Sequence, residues 1–232
     1  MNKSEAIRRL YEIDLSKNEI ATMFMEYSSV FIRLPEKTIL IDPADLLSIS
    51  EINEIKSLDL IVFTHGHYDH YDRSSTLNLF KNTGAKVVAE PMVYSDLAGR
   101  IDPASLFEAS PGESFKVDDI EITPISGVHV GPINLYLIKA GGITVFHGGD
   151  SGYISLSGLK ADIAYIPTGD PSPTASPENG LNMVKDLNPK VAIPIHGSHN
   201  QFEKFKSLVE SELPSTKVNI LETVSYTHLT LP

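Results

Sequence analysis

The chain contains no cysteine and no tryptophan among its 232 residues. Without a thiol there is no disulfide, no thiolate metal ligand and no cysteine nucleophile, so a bound metal would have to be held by histidine and carboxylate. Positive charge is also scarce: 19 Lys and Arg stand against 30 Asp and Glu, for a net charge of −11. That balance argues against a broad basic surface for nucleic acid or for an anionic membrane. No run approaches the ~18 consecutive apolar residues of a membrane span. The charged stretch at residues 1–14 lacks the apolar core of roughly 7–15 residues found in a secretory signal. A soluble, cytoplasmic protein is expected, and nothing in the sequence specifies an oligomeric state.

With 41% hydrophobic residues the chain can bury a full core, and one domain over residues 1–222 is expected, with residues 1–17 as an N-terminal extension. Ala6, Ile7, Leu10 and Tyr11 fall at helical spacing over residues 3–12. Strands are predicted over 20–25, 29–34 and 37–41, the third running into Asp42-Pro43, and a helix over about 50–57. The apolar run 60–63 reads as a strand buried on both faces. Helices are expected over about 74–81 and 91–100, with a short strand at 86–89 between them.

Strands at 114–117, 120–125, 133–138 and 143–146, separated by Asp118-Asp119, Gly131-Pro132 and Gly141-Gly142, suggest a mainly antiparallel sheet. The pattern then alternates: strands at 162–167, 191–195 and 217–221, and helices from Ser176-Pro177 to about Leu187 and over 201–212.

The most informative stretch is Thr64-His65-Gly66-His67-Tyr68-Asp69-His70, in which three imidazoles and a carboxylate follow the end of an apolar strand. Side chains two apart on an extended segment share a face, so His65 and His67 can reach one ion, and Gly66 permits a tight turn between them. Three other apolar strands end in a residue of ligand type: 120–125 before Ser126-Gly127-Val128-His129, 143–146 before His147-Gly148-Gly149-Asp150, and 191–195 before His196-Gly197. Sites of layered α/β proteins collect at such strand ends. The cluster alone leaves nuclearity open, since its residues could serve one ion or two.

His65-x-His67-x-Asp69-His70, followed in order by His129, Asp150 and His196, resembles the ligand series of the metallo-β-lactamase-fold metallohydrolases, and Asp42-Pro43 matches that superfamily's structural aspartate. The likeness covers about residues 18–222. It implies an α/β fold, a four-layer αββα sandwich, with His65, His67 and His129 on one metal, Asp69, His70 and His196 on a second, and Asp150 bridging both. Gly148-Gly149-Asp150-Ser151-Gly152, with Ser176-Pro177-Glu178 and Ile193-Pro194-Ile195-His196, look most like the branch containing ascorbate-6-phosphate lactonase. That branch usually carries Gly-His near its second strand, where this chain has Glu26-Tyr27, so its substrates do not carry over.

The donor types suit two divalent ions, Zn²⁺ first, with Mn²⁺ and Fe²⁺ also compatible. Ions roughly 3.5–4 Å apart can share a water that ionises readily and attacks a carbonyl or phosphoryl centre. Two ions carry +4; Asp69, Asp150 and the hydroxide remove three, leaving about +1 to attract an anionic small molecule. Asp69 is placed to steer the proton to the leaving group, and Asp150 completes the predicted catalytic pair. Asp42 reads as orienting a ligand histidine or the cluster loop.

A hydrolase acting on a small ester, lactone or phosphorylated metabolite is the expected function. A phosphodiesterase or nuclease of the same fold fits the acidic composition less well, and a non-catalytic metal-binding protein would be signalled by a missing ligand, of which there is none. His147 reads as a hydrogen-bonded strand residue, His199 as a surface or helix-capping residue and Thr168–Ser172 as a turn. Tyr68 and Tyr71 flank the ligands and read as packing residues or as lining of a mouth. Residues 224–232 look like the translation of a sequencing adapter rather than native sequence, which removes His228 from consideration.

Overall fold

The computed structural model describes residues 2–171 and 173–231, apart from the side chains of Ser225 and Tyr226. Its contacts divide into two compact units, Met1–Ser110 with Glu222–Thr230, and Pro111–Leu221 with Leu231–Pro232.

The first unit opens with helix α1 (Lys3–Glu12), capped by the Asn2 side chain, with Ala6, Ile7 and Leu10 on its buried stripe. Strands β1 (Glu19–Phe24), β2 (Val30–Arg33) and β3 (Thr38–Ile41) form an antiparallel meander. Glu26-Tyr27 makes the first turn: the Ser29 amide donates to Glu26 O at 2.7 Å, and Tyr27 takes φ +52°. Then the chain crosses over. Strands β4 (Leu60–Phe63), β5 (Lys86–Ala89) and β6 (Leu106–Glu108) add in parallel beyond β3, so β3, β4 and β5 deliver Asp42, Thr64 and Glu90 to one sheet edge.

The connecting helices are α2 (Ile49–Ile52), α3 (Arg73–Thr83) and α4 (Pro91–Leu97). Asp72 caps α3 and Gly84 ends it in the left-handed conformation at φ +67°. One sheet face, with Met23, Phe31, Leu40, Ile61, Phe63 and Val87, packs on α1, on Ile52, on Leu79 and on Val93 and Leu97. The opposite face is apolar as well, with Ile32, Ile39, Leu60, Val62 and Val88 fully buried, as continuous runs in parallel strands require.

In this unit the helices α2 and α4 are shorter than expected. The helix expected over 50–57 is the single turn α2, fixed by a capping box between Ser48 and Glu51. It loosens into i→i+3 bonds from Glu54 and Ile55 that still bring Ile52 and Ile55 inward. Helix α4 stops at Leu97 rather than Arg100. Strand β6 was not anticipated: it follows a 3₁₀ turn at Pro103–Ser105 and exists through its parallel pairing with Val87–Ala89. The C-terminal stretch set apart above forms β14 (Ser225–Thr230), antiparallel to β1.

The second unit is built on one mixed sheet. Strands β7 (Phe115–Val117), β8 (Ile120–Ser126), β9 (Asn134–Ala140) and β10 (Ile143–His147) are antiparallel, whereas β11 (Ile163–Pro167), β12 (Val191–Ile195) and β13 (Lys217–Val218) continue in parallel from β10. Strands β8, β10, β11 and β12 therefore end on the same edge. Helix α5 (Pro177–Leu187), started by Ser176, and α6 (His199–Glu212), started by a Ser198–Gln201 capping box, cover one face. Leu181, Val184, Phe205 and Val209 pack there with Phe146, Ala164, Ile166 and Ala192. Strand β13 spans two residues rather than the five expected, because only Lys217 and Val218 reach β12.

Each unit thus consists of a mixed sheet with helices packed on it, the α/β arrangement expected. Among the described residues no helix is long and apolar enough to cross a membrane.

Candidate metal centre

In the first unit the predicted cluster is a compact loop at the end of β4. His70 and Tyr71 both donate their amides to His67 O, at 3.0 and 2.8 Å, which folds the loop back on itself. The ring centroids of His65 and His67 lie 4.5 Å apart and those of His65 and His70 4.1 Å apart. Asp69 Oδ2 is 3.7 Å from His70 Nε2. His65 and His70 are buried, and His67 is exposed. All four cluster residues are therefore brought together.

Their orientation is set from behind. Asp42 is fully buried, at φ +49°, a left-handed conformation that Asp tolerates better than most residues. Its Oδ1 accepts from the Thr64 amide at 2.8 Å and its Oδ2 from the Thr64 hydroxyl at 2.6 Å. The same Oδ2 lies 2.8 Å from His70 Nδ1, and Thr64 Oγ1 lies 3.0 Å from His65 Nδ1. A carboxylate on Nδ1 fixes the tautomer and turns Nε2 into the ligand nitrogen. Asp42 thus plays the orienting role expected of it. Thr64 was given no role on sequence, although a hydroxyl residue directly before a strand-end histidine is a usable signal.

Tyr71 packs edge-on against Phe63 at 5.2 Å and donates to Asp96 Oδ2 at 2.6 Å. Burial first, then the bond to Asp96, pushes its phenol well above the ordinary range. Arg73 beside Asp96 holds that carboxyl below its usual range. Tyr71 is a packing residue, whereas Tyr68 is 83% exposed.

In the second unit the three remaining predicted ligands meet. His129 Nε2 lies 3.2 Å and His196 Nε2 3.7 Å from Asp150 Oδ2, and the Asp150 and His129 side chains are both 4% exposed. His196 sits immediately after β12 at φ +46°, a conformation uncommon outside glycine. Room for it comes from Gly169, where a Cβ would fall 1.9 Å from His196 O.

His147 is the buried strand residue anticipated, its Nδ1 accepting from the Gly149 amide at 3.2 Å. His199 is an exposed residue in the first turn of α6, 3.7 Å from Glu203. Asp170 accepts from Gln201 Nε2, as a turn residue would, and Ser172 lies outside the described residues.

The donor set in each unit is that of a hard or borderline divalent ion: imidazole nitrogens and carboxylate oxygens converging within about 4 Å, with the Nδ1 atoms of His65 and His70 held by Thr64 and Asp42. The residues present fit a metal. An α/β fold of two mixed sheets with His and Asp gathered at strand ends defines a metallo-β-lactamase-type protein.

The family model of the beta-lactamase superfamily domain matches residues 22–196, and the chain belongs to that family. A UPF0173 metal-dependent hydrolase of Staphylothermus marinus is 33% identical over 216 residues, covering 82% of this chain and 90% of the relative. One from Pyrococcus furiosus is 29% identical over 214 residues, covering 82% and 92%. Among solved structures, the metallo hydrolase Igni18 of Ignicoccus hospitalis superposes with a TM-score of 0.77 at 22% identity, over 92% of this chain and all of that one. The fold inferred from the ligand series is thereby shown; the ascorbate-6-phosphate lactonase branch does not emerge among these relatives.

Proposed function

We propose that the chain is a metal-dependent hydrolase with a dinuclear centre, acting on a small ester, lactone or phosphorylated metabolite. The observation that carries this reading is the convergence of His129 and His196 on one carboxylate oxygen of Asp150. With His129 and His196 assigned to different ions, as the ligand series implies, the Asp150 carboxylate between them would be the shared ligand. On this reading His65, His67 and His129 hold one ion, and Asp69, His70 and His196 the other. The relatives named metal-dependent hydrolases support the reaction class.

Two divalent ions, Zn²⁺ in the first instance, would polarise the scissile carbonyl or phosphoryl oxygen and supply an activated water. The protein's own part is positional. Asp42 and Thr64 hold His70 and His65 in one tautomer, Asp150 would be shared by the two ions, and Asp69 would carry the proton to the leaving oxygen.

The test is a screen of lactones, aryl esters, phosphomonoesters and a bis-aryl phosphodiester with zinc- and manganese-loaded protein. Metal-dependent turnover of an ester, lactone or phosphomonoester, abolished in Asp150→Ala, is expected. Turnover confined to the phosphodiester would move the assignment to the nuclease-like class, and none in any arm would remove it.

A further inference from the structure

Ser151 directly follows Asp150 and is completely buried. Its hydroxyl oxygen accepts from the Val128 amide at 2.9 Å, and its hydrogen goes to Gly152 O at 2.8 Å, closer than the alternative, Val128 O, at 3.4 Å. A backbone bond runs alongside, from the Gly152 amide to Val128 O at 2.7 Å. Residues 128 and 151 are the immediate neighbours of His129 and Asp150, so these bonds tie together the two loops that carry them.

The tie is anchored on other sides as well. The Ser151 amide donates to Gly148 O at 3.2 Å, and Ser151 O accepts from Ala175, just ahead of α5, at 3.0 Å. Gly127 packs so closely that a Cβ there would stand 2.7 Å from Ser151 Oγ and 2.3 Å from Leu135 Cδ1. A side chain at 127 would push the hydroxyl off the Val128 amide.

We infer that Ser151 is a positioning residue that sets the separation of His129 and Asp150, and through it the affinity of the first ion position. The inference rests on the assignment of those two residues as ligands. A ligand pair held about 3.2 Å apart by a hydroxyl between their loops does not have to be gathered by the metal; loosening it makes the ion pay that ordering cost. Outer partners of ligands commonly change affinity by about 10–100-fold.

The test compares wild type, Ser151→Ala and Thr216→Val by cobalt(II) titration and by the visible spectrum of the cobalt-loaded protein. Thr216 is the control, because its buried hydroxyl donates to Pro189 O at 2.8 Å from the turn between α6 and β13, which carries no candidate ligand. Expected in Ser151→Ala are a roughly 10–100-fold weaker cobalt affinity, an altered spectrum and faster exchange of the Val128 amide in metal-free protein. Thr216→Val should keep wild-type affinity and spectrum. Unchanged cobalt binding in Ser151→Ala overturns the inference, as does an equal loss in both variants or a Ser151→Ala chain that no longer folds. Wild type that binds no cobalt overturns the underlying ligand assignment as well, which separates the two failures.

Discussion

Replacing Asp42 by Asn removes one negative charge and one acceptor while keeping volume. Asp42 Oδ1 holds the Thr64 amide at 2.8 Å, and Oδ2 faces both the Thr64 hydroxyl at 2.6 Å and His70 Nδ1 at 2.8 Å. If the Asn oxygen stays on the Thr64 amide, its NH₂ meets the other two groups. The hydroxyl can rotate to accept. The imidazole must instead move its proton to Nε2, the nitrogen needed as a ligand. Two charge-assisted bonds are thereby weakened in a fully buried site, at about 1.5 kcal/mol each, for a loss of about 3 kcal/mol.

Urea unfolding of metal-free Asp42→Asn measures that loss, and metal titration measures the tautomer effect, expected at about 10–100-fold. A change within about 0.5 kcal/mol, together with unchanged metal affinity, would refute the reasoning.

Two further perturbations follow from particular contacts. Glu90 is 1% exposed, its Oε2 accepts from the Met92 and Val93 amides, and burial raises its pKa. A carboxyl raised in the folded state binds more protons there than when unfolded, so stability should fall as pH rises from about 4.5 through the folded pKa. Glu90→Gln should flatten that slope in pH-dependent urea unfolding; an unchanged slope would count against the burial argument. Gly169→Ala places a Cβ 1.9 Å from His196 O, so the loop or His196 must move. A loss of about 1–3 kcal/mol in thermal or urea unfolding, with weakened metal binding, is expected, and wild-type behaviour in both would contradict it.

Much of this architecture was legible in the chain because its signals are local. The run Leu60–Phe63 and the run Val191–Ile195 are buried throughout, as unbroken apolar stretches in parallel strands should be. Strand β8 instead alternates, with Ile120, Ile122 and Pro124 inward. The candidate ligands stood out because histidine is rare here, eight in the chain, yet it recurs at strand ends.

What was not legible depends on distant partners. Strand β6 is three residues long and owes its form to Val87–Ala89. The helix expected over 50–57 is instead one turn, fixed by the Ser48–Glu51 box. Ser151 is one serine among many until the fold brings Val128, 23 positions away, against its hydroxyl.

The central proposal is that His65, His67 and His129 serve one ion, Asp69, His70 and His196 a second, and Asp150 both. Metal content after dialysis, measured by mass spectrometry on wild type, His67→Ala, His129→Ala and Asp150→Ala, tests it most directly. The account predicts two equivalents in wild type, loss of one and the same equivalent in His67→Ala and His129→Ala, and loss of both in Asp150→Ala. Wild type with no bound metal, or His67→Ala and His129→Ala emptying different sites, would contradict it.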